Sequence, residues 1–548
     1  MDGTSAREPI GGQSAVRSAP GWTDEDRGVQ MVRKTVMLLL LIGLLWQPSA
    51  AMSQVPPPPG DIKNFEFLGN LGGMNNITSI NVLSFASGDV LVAVGRFGVR
   101  TFDLSDPANP QPLDHLPSAD LMNEGDTSGT FWQSESTNVD QRRKLIFLSR
   151  DPRAYNHPQD AGPSGVYIID ANDPENLELI TFHPIPAGHT STCIEQCNFL
   201  WTGGPAPDED MPPEWAGRPI FVTNVRDPEN PFTYPDPIDL GRNDGVTDYA
   251  HDVQVDNMGI AWVSGRGGVR GYLTKGRHWD PVEKQMRAAF PWDPVPYAGG
   301  GGPVAWKATG PAVVHNSERP IDGEPGDRDD GYWSRDPERP ERPSAEDGSD
   351  YAAHGFEPGE LLYITHEDFN GSCAQRGRFY IASLRGSYDG EGWRSTPEDP
   401  FSLDILSSWH PWEQEGSSTT TSNCSGHYFR MKDGLVYMSW YGQGTRVLDI
   451  TNPYEPIQVA YFRPTTTSSY TPMLYKDLVY VADSSRGVDI LRLTEGAFQA
   501  SAARQEVVAP PLTKAQIQAE AARYRPDPVM GWSCRIPVGA RGHGHHSM

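Results

Sequence analysis

One pattern recurs along this chain and limits what it can fold into: a short apolar strand, a polar turn, and a second apolar strand that often opens on Gly-Val. The clearest copies are LVYVADSSRGVDILRL (478–493), LVYMSWYGQGTRVLDI (435–450), VLVAVGRFGVRTFDL (90–104) and IAWVSGRGGVRGYL (260–273). Three more have longer turns: LIFLS (145–149) with GVYIIDA (165–171), FLWTG (199–203) with PIFVTNV (219–225), and LLYIT (361–365) with RFYIASL (378–384). β-Branched and apolar residues fill each strand, and Gly or Asp-Ser stands where the chain reverses. A repeated hairpin of this length marks an array of supersecondary units.

Each unit extends at both ends. Four of the second strands run into an Asp/Asn-Pro turn and another apolar stretch, at 105–116, 172–182, 226–240 and 451–462. Asp or Asn caps such a turn and Pro presets φ at the next position. A further strand precedes the hairpin, as in HDVQVDNM (251–258), HYFRMKD (427–433) and TPMLYKD (471–477). Four antiparallel strands make a sheet that cannot cover both of its faces alone, whereas seven such sheets around an axis can, and closure removes the exposed edges. The unequal spacing of the copies disfavours a solenoid. The 56 glycines and 50 prolines suit many short strands and tight turns. The expected class is therefore all-β: a seven-bladed β-propeller of four-stranded antiparallel blades over 63–495, with long loop insertions and a short C-terminal helix.

The stretches GVRTFDLSDPANPQPL, GVYIIDANDPENLELI and GTRVLDITNPYEPIQV resemble the LVIVD-repeat family, whose units show an apolar strand ending in Asp and then a D/N-P-x-x-P turn on a β-propeller. The resemblance covers about four of the seven units. It implies the fold and an exported bacterial protein, and it transfers no catalytic residue.

Outside the repeats, Met31–Ala51 has the layout of a secretory signal peptide: Arg33 and Lys34, an apolar run from Thr35 to Trp46, then Ser49 and Ala51 before a cleavage point. Residues 1–51 are thus a leader whose start is expected at Met31, and 52–62 are a Pro-rich linker. The apolar run is short for a bilayer span, and no later segment is apolar enough to cross one, so the expected location is secreted, periplasmic or cell-envelope. Residues 317–350 read as a mobile acidic insertion, and 385–426, with Trp393, Trp409 and Trp412, as a loop plugging or covering one face. In the 496–548 extension, 513–525 carries helix formers behind Thr513, and the chain ends in a His-rich tail. Export favours disulfides. Cys193 with Cys197 and Cys373 with Cys424 are the expected pairs, leaving Cys534 over. A net charge of −26 repels phosphate backbones, so nucleic acid is not an expected partner.

The residues that carry chemistry are histidines. His189, His251, His354 and His427 each precede the second strand of a unit, and in a propeller the strand before that one lines the axis. His315 and His366 are further candidates. Converging imidazoles suit copper, zinc or iron, with Glu195, Asp252 and Glu367 as nearby carboxylates. Such convergence is similar in architecture to metal-dependent propeller oxidases, among them the selenium-binding/methanethiol oxidase family, none of whose motifs is intact here. The distances from histidine to second strand are unequal, from seven to ten residues, and an odd shift turns a side chain to the other face of a strand. No GxSxG elbow, HExxH, P-loop or helix-opening GxGxxG occurs. Two readings follow: a secreted binding or scaffold module presenting loops to an envelope protein or glycan, or an exported metal-dependent oxidoreductase or hydrolase.

Overall fold

The computed structural model describes residues 60–123, 133–151, 162–204, 219–238, 240, 250–299, 302–306, 313–320, 361–367, 377–384, 403–418 and 424–505, apart from 257–258, 266–267, 281, 304, 413 and 433. Seven antiparallel sheets of four or five strands form the blades of a propeller ring. Blade 1 runs Ile77–Phe85, Gly88–Gly95, Gly98–Asp103 and Gln111–Pro117 from inside to outside, and blade 2 runs Gln133–Asp140, Leu145–Arg150, Gly165–Asp170 and Glu178–Pro184. Blades 3 to 6 begin with the inner strands Thr190–Ile194, Ala250–Val255, Val313–Glu318 and Phe429–Lys432. In blade 7, Ser469–Tyr475, Leu478–Asp483 and Gly487–Leu493 are completed by Phe65–Leu71 from the start of the described chain. The ring is thus closed by a strand from the opposite end of the sequence. Gly60–Lys63 adds a fifth strand to blade 6 against Pro464–Tyr461.

The apolar residues of the hairpins pack between blades. Val92, Val94, Ile146, Leu148 and Tyr167 fill the space between blades 1 and 2, and Trp201, Val222, Val253, Val263 and Tyr272 that between blades 3 and 4. Across the closure, Tyr475 Oη donates to Asp89 Oδ2 at 2.6 Å and Tyr480 Oη to the Pro107 carbonyl at 2.6 Å.

The Asp-Pro signals act as paired caps. Asp103 accepts from the Ser105 amide at 3.1 Å and Asp106 from the Ala108 amide at 3.2 Å. Asp449 and Asn452 do the same for Thr451 (2.8 Å) and Tyr454 (3.1 Å). The Gly of each Gly-Val has an equally local cause: Gly487 opens its strand at φ 102°, where a Cβ would collide with the Leu71 carbonyl of the closing strand. Gly487→Ala is expected to lose about 2–3 kcal/mol in chemical denaturation, against a much smaller change at an exposed glycine that the turn does not crowd.

The expected short helix after the repeats is present, and two other features depart from the sequence reading. The described helix is Glu495–Gln505, directly after the last repeat strand, while 513–525 lies outside the described residues. Part of the Trp-containing excursion is a strand: Asp404–Trp409 is the outermost of blade 5, and Trp409 packs edge-on against Trp440 at 5.5 Å. Ser317 and Glu318, expected to open the mobile acidic insertion, are instead buried in the inner strand of blade 5; the described chain stops at Pro320 and resumes at Leu361, inside the first hairpin of that blade. The leader and linker up to residue 59, and Trp393, lie outside the described residues.

Candidate metal centre

A repeated irregularity of the innermost strands builds the site. The pairing of the inner with the second strand slips between Ile77 and Ser79, Gln133 and Thr137, Ala250 and Asp252, Val314 and Asn316, and Ser469 and Thr471. Each slip leaves inner-strand residues without a cross-strand partner, one in four of the blades and three (134–136) in blade 2, and re-aims a side chain there. In blades 3 and 6 the corresponding residues, His189 and His427, stand just before the regular strand, and their amides donate to Gly203 O and Ser439 O, each at 3.0 Å. One position of the blade plan therefore recurs seven times, as Thr78, Glu135, His189, His251, His315, His427 and Tyr470. It lies where inner strands begin and second strands end, at one end of the ring's axis.

Four consecutive blades place imidazoles there. Glu135 Oε2, from the blade before them, is 3.2 Å from His315 Nε2, 3.2 Å from His427 Nε2, 3.6 Å from His189 Nε2 and 3.7 Å from His251 Nε2. The Nε2 atoms of His189 and His251 are 3.0 Å apart. Neighbouring donors on an ion with bonds of about 2.0–2.2 Å stand roughly 3 Å apart, so modest contraction brings these groups to bonding distance. Glu135 with His315 and His427, Glu135 with His189 and His251, and His251 with His315 and Glu367 each form a set whose ligand atoms lie within 4.8 Å of one another.

Two of the four outward nitrogens are hydrogen-bonded to the neighbouring blade, and a third faces a carboxylate. His251 Nδ1 donates to His315 O at 3.1 Å and His427 Nδ1 to Tyr470 O at 2.7 Å. His189 Nδ1 is 3.5 Å from Asp151 Oδ2. Donation through Nδ1 leaves Nε2 as the lone-pair nitrogen aimed at the axis, the orientation a metal ligand needs. His427 is fully buried, yet among the described residues its Nε2 finds no hydrogen-bond partner of proper geometry, although Glu135 Oε2 is close by. A lone pair facing a carboxylate calls for a cation between them, either a proton or a metal ion.

The balance of burial against neighbouring charge favours protons in that role. Burial opposes charge on His189, but Glu135 and Asp151 outweigh it and hold the imidazole up at about 10. His427 is raised against burial by Glu135 and Glu367. Burial and the neighbouring imidazoles push His251 well down and His315 to about 3. Burial would raise Glu135, yet His427 and His189 hold it well below the usual carboxylate range. Glu367 is pushed up to about 7 by burial and then by Glu135.

Of the histidines singled out by sequence, the structure brings together His189, His251, His315 and His427. His366 points elsewhere, its ring against Tyr380 at 5.9 Å, and the next residue, Glu367, reaches the axis instead. His354 lies outside the described residues. Asp252 is buried close by, with Tyr428 Oη at 3.5 Å and Gln254 Nε2 at 2.6 Å. Glu195 is in the hairpin turn at the far end of the blade 3 inner strand, remote from the cluster in the blade plan. Glu135, Asp151, Tyr441 and Tyr470 escaped the sequence reading. Cys193 and Cys197 form a disulfide across that same turn, with Cα atoms 4.4 Å apart. Cys424 is disulfide-bonded as well, and Cys373 and Cys534 lie outside the described residues. Compared with known proteins, the chain matches no family model and no curated sequence.

Proposed function

We propose that this propeller is an exported metalloprotein whose axis holds a divalent transition-metal ion, in the service of oxidoreductase or hydrolase chemistry. The observation that carries the proposal is the convergence of four Nε2 atoms, from blades 3 to 6, on one carboxylate oxygen of blade 2. His189, His251, His315, His427 and Glu135 would hold the ion, and the donor set of imidazoles with one carboxylate suits iron, copper or zinc. Bound there, such an ion would supply Lewis acidity or redox chemistry. The chain's own part is to fix tautomers through the blade-to-blade hydrogen bonds and to keep solvent away: His315 and His427 are fully buried and Tyr428 and Tyr441 nearly so. The disulfide and the leader-like start support export. A propeller also fits a binding or scaffold module, but that role gives no reason to bury four imidazoles against a carboxylate.

Elemental analysis tests the proposal, on protein purified without an affinity tag and with the terminal GHGHHSM removed. About one equivalent of transition metal is expected, with loss of most of it in the His251→Ala/His427→Ala double variant while the β circular-dichroism signal persists. Metal far below stoichiometric, or unchanged in the double variant, would overturn the reading.

A further inference from the structure

Glu367 is the second carboxylate, after Glu135, that faces an Nε2 atom, whereas Asp151 meets His189 from the other side, at Nδ1. It ends the strand Leu361–Glu367 opposite Val313, is 6% exposed, and places Oε2 4.0 Å from His251 Nε2. Its other oxygen, Oε1, accepts a hydrogen bond from Tyr441 Oη. Tyr441 is an unusual residue to find holding it. Its φ is 36°, in the left-handed region that a bulky side chain avoids, and it is buried. Reciprocal backbone bonds with Ser469, at 3.0 and 3.1 Å, pin it there, and its ring lies 4.8 Å from His427 and 5.1 Å from Tyr470. A backbone strained in this way persists where the surroundings impose it, and such residues cluster at functional sites.

Charge gives this arrangement a purpose. A buried cation must be matched by buried anions, because leaving net charge in a low-dielectric interior is costly. On the Nε2 side of the imidazoles, Glu135 alone supplies one negative charge, and Glu135 with Glu367 supplies the two that a divalent ion needs.

Building on the metal reading above, we propose that Tyr441 is a positioning residue that aims Glu367 at His251 and His315, so that the axis is matched to a divalent rather than a monovalent cation. Tyr441→Phe removes a single oxygen and Glu367→Gln keeps the shape of the side chain, so both variants leave the blade packing in place. The experiment titrates metal-free wild type and both variants with Co(II), followed by visible absorption, and separately with Cu(I) under reducing conditions. Wild type is expected to take up about one Co(II). Glu367→Gln should bind Co(II) about 10–100-fold more weakly, and Tyr441→Phe should shift in the same direction with displaced absorption bands. Cu(I) affinity should be unchanged or higher in both. Wild-type Co(II) affinity and spectrum in both variants would overturn the proposal, as would a parallel loss of Cu(I), which marks general damage to the site. A wild-type protein that binds neither ion defeats the metal reading itself, and this proposal with it.

Discussion

A chain that begins at Gly72 should fail to form a stable monomeric propeller. Phe65–Leu71 is the outermost strand of blade 7, running antiparallel to Gly487–Leu493 from Phe65↔Leu493 to Leu71↔Val488. Phe65 and Leu71 are buried, and Phe67 stacks on Phe462 of blade 6 at 5.6 Å. Asn70 Nδ2 donates to Asp489 Oδ1 at 2.8 Å, inside the blade. At about 1.5–3 kcal/mol for each large apolar side chain, the loss comes to roughly 5–8 kcal/mol, comparable to the whole stability of many domains. Deletion also bares the Gly487–Leu493 edge, a template for pairing with other chains. The expected result is loss of the cooperative thermal transition and oligomers in light scattering. A synthetic peptide spanning 60–71 should restore the monomer in trans. A monomer that melts cooperatively close to the wild-type temperature without the strand would show instead that side-chain contacts across the closure, such as Tyr475 with Asp89, suffice.

Closure by the N-terminal strand was invisible in the repeats because FEFLGNL carries no mark of its own. It reads as an apolar stretch before the first unit, and only the missing fourth strand of the last unit points to it. The hairpins themselves were legible because Gly-Val and Asp-Pro each answer a local backbone demand, at φ 102° for Gly487 and at the paired caps after Asp103 and Asp449. The histidines were legible as a set and ambiguous in direction, since their offsets to the second strand differ. The structure removes that ambiguity. The inner and second strands are joined over stretches of different length, from Ile194 to Phe199, from Asp256 to Ile260 and from Lys432 to Leu435, and this accounts for the differences among blades 3, 4 and 6. The side chain's aim is set at the other end of the strand, by the bulge or by the residue just before the strand. Glu135 was missed because a search for imidazoles passes over QSESTNVD, although that stretch occupies the same place before LIFLS as AHDVQVD does before IAWVSG. Asp151 and Tyr441 are set by contacts between blades, which no periodicity within one unit can reveal.

The second large effect expected is a stability of the metal-free protein that falls as pH rises from 7 to 9, and a stability of the metal-loaded protein that does not. His189 titrates at about 10 when folded, above the ordinary 6.5, because Glu135 and Asp151 outweigh its burial. Above pH 6.5 the unfolded chain has released this proton and the folded one keeps it, so unfolding binds fewer protons and the slope of stability against pH is negative. Its size is about 1.4 kcal/mol per pH unit for one proton. The contribution is complete below pH 6.5 and disappears through pH 10. His427, also raised, acts in the same direction. His251 and His315, pushed down, titrate with the opposite sign below 6.5, and Glu367 and Asp252, raised to about 7, act mainly below the window. A divalent ion takes the place of the proton on His189 and of any on His427 and Glu367, so loading should release at least one proton near pH 7 and remove the slope. Calorimetric titrations in buffers of different ionisation enthalpy count those protons, and chemical denaturation at pH 7, 8 and 9 reads the slope. Glu135→Gln takes away the largest anionic partner of His189 and a ligand together, and should flatten the metal-free slope while weakening metal uptake at least tenfold. A metal-free slope that survives Glu135→Gln unchanged would mean that the carboxylate at the axis does not hold these protons, and the exchange of protons for the ion would fall with it.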